Sequence, residues 1–308
     1  TGSLTLLLVA CQSDPPETPG TMDPVPTASV GTLDTYPAMA SDHVRPRHVA
    51  VWLPPDYDST RAAGYPVLYM HDGQNLFDPE AANFGVEWQV DETLARLIDD
   101  GTIPPTIVVG VYSTPLRTQE YLPAKPFHRQ PDAVVAALKR DLAPDHGSPE
   151  VRSDAYLRFL TQELKPFVDA TYPTAPEMES TFIAGSSMGG LISLYALTES
   201  PDVFAGAACV STHWALARSR DDLRFTEAFR TYLAERIDTL QSKRLYFDYG
   251  TETLDRLYAP HQQHIDALLE AHATDSTRWT TRTFEGAKHH ESSWAARFDQ
   301  IATFLLSE

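Results

Sequence analysis

The sequence predicts an α/β fold with a mostly parallel central sheet and helices on both of its faces, a three-layer sandwich. Three observations predict it. From about residue 43 onward, short apolar, β-branched runs alternate with segments of helical periodicity. Several of those runs are apolar throughout, as strands covered on both faces must be. The strand and helix units also repeat in series, which is how crossovers join parallel strands. The 308 residues, 42% of them hydrophobic, suffice for one sizeable core.

The elements follow in order. RHVAVWL (47–53) reads as a strand that Pro54 and Pro55 stop. PVLYMHDG (66–73) is a short buried strand ending in turn residues, and WQVDETLARLIDDG (88–101) is a helix with a terminal glycine. PTIVVGVY (105–112) has the continuous apolar pattern of a central parallel strand. Residues 113–149 hold six prolines and read as an irregular insertion over the strand ends, with a short helical piece near 133–140. Residues 156–170 form an amphipathic helix, 180–185 a strand and 188–197 a helix. AGAACVS (205–211) is a strand and 222–240 a helix. RLYFDYG (244–250) is a strand, 260–273 a helix, RWTTRTFEG (278–286) a strand and 291–306 one closing helix.

The formal net charge is −18. A field of that sign repels phosphate backbones, so nucleic acid is not an expected partner. The two cysteines, Cys11 and Cys209, lie in very different settings and predict no disulfide. His261 and His264 form an HxxH pair that reads as two polar residues on a helix face, and no Cys/His cluster has metal-ligand spacing. No metal or organic cofactor is expected.

The N-terminal segment has its own logic. Leu4 to Ala10 is apolar but too short to span a bilayer. Residues 1–10 resemble the remnant of a signal peptide, and Leu8-Val9-Ala10-Cys11 resembles a bacterial lipobox, the competing reading being an ordinary signal with an incidental cysteine. Cys11 would then carry lipid, and the only membrane contact would be that anchor in the cell envelope. Residues 11–42, rich in Pro, Thr, Ser and Asp, read as a flexible tether, leaving 43–308 as the catalytic domain.

The chemistry centres on Gly185-Ser186-Ser187-Met188-Gly189, a match to G-x-S-x-G between a strand and a helix. That is the nucleophile elbow of α/β-hydrolases. The glycines permit a tight reversal, and the helix N-terminus favours negative charge at the serine. Only Ser187, not Ser186, has glycine two residues away on both sides.

A serine hydroxyl needs a base, and the base an orienting carboxylate. The expected chain order is serine, acid, histidine. The strand RLYFDYG is followed by Glu252 and Asp255, and RWTTRTFEG by His289 and His290. His289, nearer the strand end, is the expected base, and His290 would help cap the closing helix. Asp255 is preferred as the acid, with Glu252 as the alternative, and Asp248 within the strand is assigned a structural part.

AVWLPPDYD (50–58), YPVLYMHDGQNLFD (65–78) and IAGSSMGG (183–190) resemble the Putative esterase family of α/β-hydrolases, which includes esterase D, feruloyl esterases and siderophore esterases. The likeness runs from about Val44 to Leu306, and FDYGTETLD and FEGAKHHESSW resemble the acid and histidine regions of a bacterial branch. The resemblance implies an oxyanion hole from the backbone N–H groups of Gln74 and Met188. It also draws attention to Arg117, Glu120 and Tyr121, as floor of the site or substrate contacts. By position, Trp214 just after the strand ending at Val210 and Trp294 near the histidine read as pocket lining or packing. The expected activity is serine-dependent hydrolysis of small acyl or carbohydrate esters. An acyltransferase and a non-catalytic binding protein are the alternatives.

Overall fold

The computed structural model describes residues 22, 24–142, 150–216, 219–272 and 275–307. Its strands are β1 (Thr32–Met39), β2 (Arg47–Leu53), β3 (Val67–His71), β4 (Ile107–Val111), β5 (Thr181–Ser186), β6 (Gly206–Val210), β7 (Arg244–Gly250) and β8 (Trp279–Phe284). They form one sheet in the order β1-β2-β4-β3-β5-β6-β7-β8. β4 through β8 run parallel, and β1 and β2 add an antiparallel edge. This is the predicted α/β-hydrolase architecture.

Both faces of the sheet are covered, and the strand period of two sorts the side chains between them. Val49, Val51, Val67, Tyr69, Val109 and Ile183 point into one core with the helical stretch 153–171 and the helix Met188–Glu199. Their neighbours Ala50, Trp52, Leu68, Met70, Val108 and Phe182 point into the other, with Val90–Asp99 and Phe298–Leu306. Burial of one such aliphatic or aromatic side chain contributes about 1.5–3 kcal/mol, so neither face can be left to water. The helix Met188–Glu199 is buried nearly all round, which explains its apolar composition.

Two long helices predicted from periodicity are each broken. The closing one divides into Glu291–Ala295 and Phe298–Leu306. The break falls at Arg297, which is 2% exposed and reaches Asp248 of β7 with Nε and Nη2 at 2.9 and 2.7 Å. The other divides into Arg224–Ala234 and Ile237–Leu240.

The tether predicted through residue 42 is corrected over 24–42. β1 pairs with β2, its register shifting between Tyr36 and Met39 around Pro37, which an edge strand tolerates. Just before it, the backbone N–H of Thr27 donates to Asp78, and those of Ser29 and Val30 donate to Asp91. Composition suggested a disordered segment, but buried carboxylates supply the partners its backbone needs. Residues 1–10 and Cys11 lie outside the described residues. Among the described residues no helix is long and apolar enough to cross a membrane.

A second buried pair joins β2 to the 113–149 insertion. Arg47 donates to both carboxylate oxygens of Glu120, at 3.1 and 2.6 Å, with both side chains out of solvent. Arg47→Met should therefore cost about 3–5 kcal/mol, because it strands the Glu120 charge. Arg47→Met with Glu120→Leu should recover much of that loss in urea unfolding. A single variant as stable as the parent would show that the pair does not hold the insertion down.

Asp91 also belongs to a carboxylate cluster. Oxygens of Glu87, Asp91 and Glu92 lie within 4.8 Å of one another. Burial first, then repulsion from Glu92 and Asp91, pushes Glu87 up to about 7. Burial and the neighbouring Glu92 push Asp91 up to about 6. A raised carboxyl pKa contributes stability at low pH that is lost as pH rises through the folded value. Glu87→Gln should thus raise Tm at pH 8, by about 2 °C or more for each kcal/mol regained, and leave it nearly unchanged at pH 4. Equal shifts at both pH values would contradict a protonated Glu87.

Candidate active site

β5 delivers the chain to its reversal. Ser187 has φ 59° and ψ −120°, a left-handed conformation that costs a non-glycine residue about 1–3 kcal/mol. Its neighbours hold it there. The Ser187 N–H donates to the Val210 carbonyl at 2.9 Å, and its carbonyl accepts from the His213 N–H at 3.1 Å. A Cβ on Gly185 would stand 2.8 Å from the Gly189 backbone, so position 185 admits only glycine. The constraint is one-sided: a Cβ on Gly189 would meet only the side chains of His71 and Asp72, at 3.4 and 3.6 Å.

That near contact also shows what faces the elbow. His71 ends β3, Asp72 follows at φ 57°, and Gly73–Asn75 makes a 3-10 turn. Gly73 packs on Gly110 of β4, where a Cβ would lie 2.5 Å from the Gly110 carbonyl carbon. Asp72 receives Arg117 through Nε and Nη2, both at 2.7 Å. Burial would raise the Asp72 carboxyl, but the guanidinium holds it below the usual carboxylate range. His71 gives Nδ1 to the Tyr156 hydroxyl at 2.9 Å, and burial drives its pKa down to about 3, so the ring is neutral.

Gln74 and Met188 stand in these two first turns. Met188 is the first residue of its helix and Gln74 the second of its turn, positions whose N–H groups have no intrahelical acceptor. The Gln74 side chain is locked by two bonds with Ser113, at 2.9 and 3.2 Å. A cavity of about 430 Å³ opens here, lined by Gln74, Ser113, His48, Tyr112, Asn83 and Pro24.

The two loops after β7 and β8 meet. The Ala287 carbonyl accepts from the N–H groups of Thr251 and Glu252, and the His289 N–H donates to Thr253 Oγ1 at 2.8 Å. This brings His289 Nδ1 to 2.6 Å from Asp255 Oδ1. Asp255 is fully buried, and its Oδ2 accepts from Gly250 N–H and Ser211 Oγ, both at 2.6 Å. Glu252 is exposed, so the structure brings Asp255, not Glu252, to the histidine. The His289 ring stands edge-on to Trp294 and Tyr258, with centroids 5.0 and 5.8 Å away. His290 caps Glu291–Ala295 by accepting from the Ser292 N–H.

The remaining predicted residues have partners elsewhere in the fold. Glu120 and Tyr121 are buried against Arg47 and His71, and the half-buried Arg117 holds Asp72. Trp214 is buried, donating to Gln262 and standing on Phe229. His261 bonds Thr226 and the Ser219 carbonyl, and His264 meets Glu227, so the two histidines do not converge on one ligand. Among the described residues only Glu87, Asp91 and Glu92 bring three such groups together. Sequence reasoning missed Ser211 and Arg297. Arg297 and Asp248, opposite charges in two apolar stretches, were the available signal of a buried pair.

The chain can be placed among known proteins on this basis. Over 169 residues it is 27% identical to the uncharacterized protein YbbA of Bacillus subtilis, covering 54% of this chain and 58% of that protein. Over 164 residues it is 29% identical to the ferri-bacillibactin esterase BesA of the same organism, covering 49% and 50%. The chain thus spans about half the length of the curated relatives it matches. A solved ferulic acid esterase superposes with a TM-score of 0.61 at 18% identity, over 89% of this chain and 97% of that one. A family model described as Putative esterase matches residues 41–305, and the chain belongs to that family.

Proposed function

We propose that this chain hydrolyses carboxylic esters through an acyl-enzyme on Ser187. The observation that carries the proposal is the 2.6 Å contact between His289 Nδ1 and Asp255 Oδ1. A carboxylate only accepts, so Nδ1 carries the proton and Nε2 is left as the basic nitrogen. Ser187 Oγ attacks the ester carbonyl while Nε2 takes its proton. The tetrahedral oxygen gathers its charge against the N–H groups of Gln74 and Met188, donors fixed before the reaction starts. The C–O bond breaks, and the alcohol leaves with the proton from Nε2. Water then repeats the sequence, its proton passing to Nε2 and on to Ser187 as the acid is released.

The names of the relatives favour a siderophore or ferulate ester as substrate. Lipid attachment at Cys11 is a further proposal, resting on Leu8-Val9-Ala10-Cys11 alone. Metabolic labelling with an alkyne fatty acid should mark the parent chain made in bacteria but not its Cys11→Ser variant; labelling of both would refute it.

Purified protein should cleave p-nitrophenyl acetate, and Ser187→Ala should abolish turnover. Asp255→Asn should lower kcat by about 10⁴-fold, the loss expected when the histidine takes the wrong tautomer. Glu252→Gln should match the parent. If Glu252→Gln lost activity and Asp255→Asn did not, the acid would have to be reassigned.

A further inference from the structure

The orienting carboxylate does not stand alone. Ser211 is the first residue after β6, fully buried, with φ 42°. Its N–H is held by the Asp248 carbonyl at 2.9 Å and by Asp248 Oδ1 at 3.1 Å. Its Oγ has three neighbours: Asp255 Oδ2 at 2.6 Å, Trp294 Nε1 at 3.0 Å and Arg297 Nη2 at 3.0 Å.

These neighbours fix the direction of the hydroxyl. Indole N–H and guanidinium N–H are obligate donors, so they occupy both Oγ lone pairs. The single hydroxyl proton then has one acceptor left, Asp255 Oδ2. A cation on one lone pair of Oγ also polarises the O–H bond toward the carboxylate. Arg297 is itself held by both oxygens of Asp248, so its charge is balanced and its position set by β7.

We infer that Ser211 is a positioning residue that clamps Asp255 Oδ2, so that Oδ1 is presented to His289 in one orientation. The inference rests on the proposed roles of Asp255 and His289. Gly250 N–H grips the same Oδ2 from β7. Two donors on one oxygen set the plane of the carboxylate and leave the other oxygen for the imidazole. Trp294 connects the clamp to the base a second way, since its ring packs on His289 while its N–H enters Oγ.

The test uses Ser211→Ala and Ser211→Gly in the full chain. Glycine adopts φ 42° freely, so the second variant removes the hydroxyl while easing the backbone. Both should lower kcat about 10–100-fold, by analogy with the loss when a partner that orients a metal-ligating side chain is removed. KM should change little. A purely structural serine would lower Tm and leave kcat unmoved; that result overturns the inference. Asp255→Asn, measured beside them, separates the two levels. If it is inactive while both Ser211 variants keep parental kcat, only the clamp fails. If it is fully active, the assigned acid fails and takes the clamp with it.

Discussion

Gly185 and Gly189 lie against each other with no room for one more carbon at position 185, and the site is arranged around that contact. It lets β5 turn directly into its helix, forces Ser187 into a left-handed conformation and leaves the Met188 N–H in the first turn, with no intrahelical acceptor. The strain is offset by Ser187's backbone bonds to Val210 and His213. The same closeness brings Gly189 up to His71 and Asp72, which is how a turn more than 100 residues earlier faces the elbow.

Around that turn and behind the sheet, three ion pairs are buried or half-buried. Arg117 meets Asp72, Arg47 meets Glu120 and Arg297 meets Asp248. Each pair ties a segment outside the strand core to a strand or strand end. Buried pairs of this kind add little net stability, yet are costly to break. Their effect here is geometric: they fix the insertion, the turn before Gln74 and the closing helix against the sheet.

The parts of the molecule that were legible in the sequence are those governed by local rules. Ser187 was legible because glycine spacing and a strand-to-helix change announce a tight reversal. β3 and β4 were legible because strands buried on both faces are apolar throughout. β1 was not, because TLDTYPAM is half-exposed and gains its order from pairing with β2 and from distant carboxylates. The preference for Asp255 over Glu252 could be stated but not decided, since both follow β7. What separates them spatially is Gly250 N–H and Ser211 Oγ, and Ser211 lies 44 residues earlier. The helix broken at Arg297 had unbroken apolar periodicity; only its ion pair with Asp248 marks the break.

The stitching of residues 27–30 to Asp78 and Asp91 has a mechanical consequence. Asp78 lies four residues beyond Gln74, so the segment that would lead to a lipid on Cys11 is fastened close to the Gln74 turn. The eleven steps from Cys11 to Met22 reach at most about 40 Å when fully extended. If Cys11 carries lipid as proposed, that length would hold the Gln74 turn near the surface to which the lipid is bound.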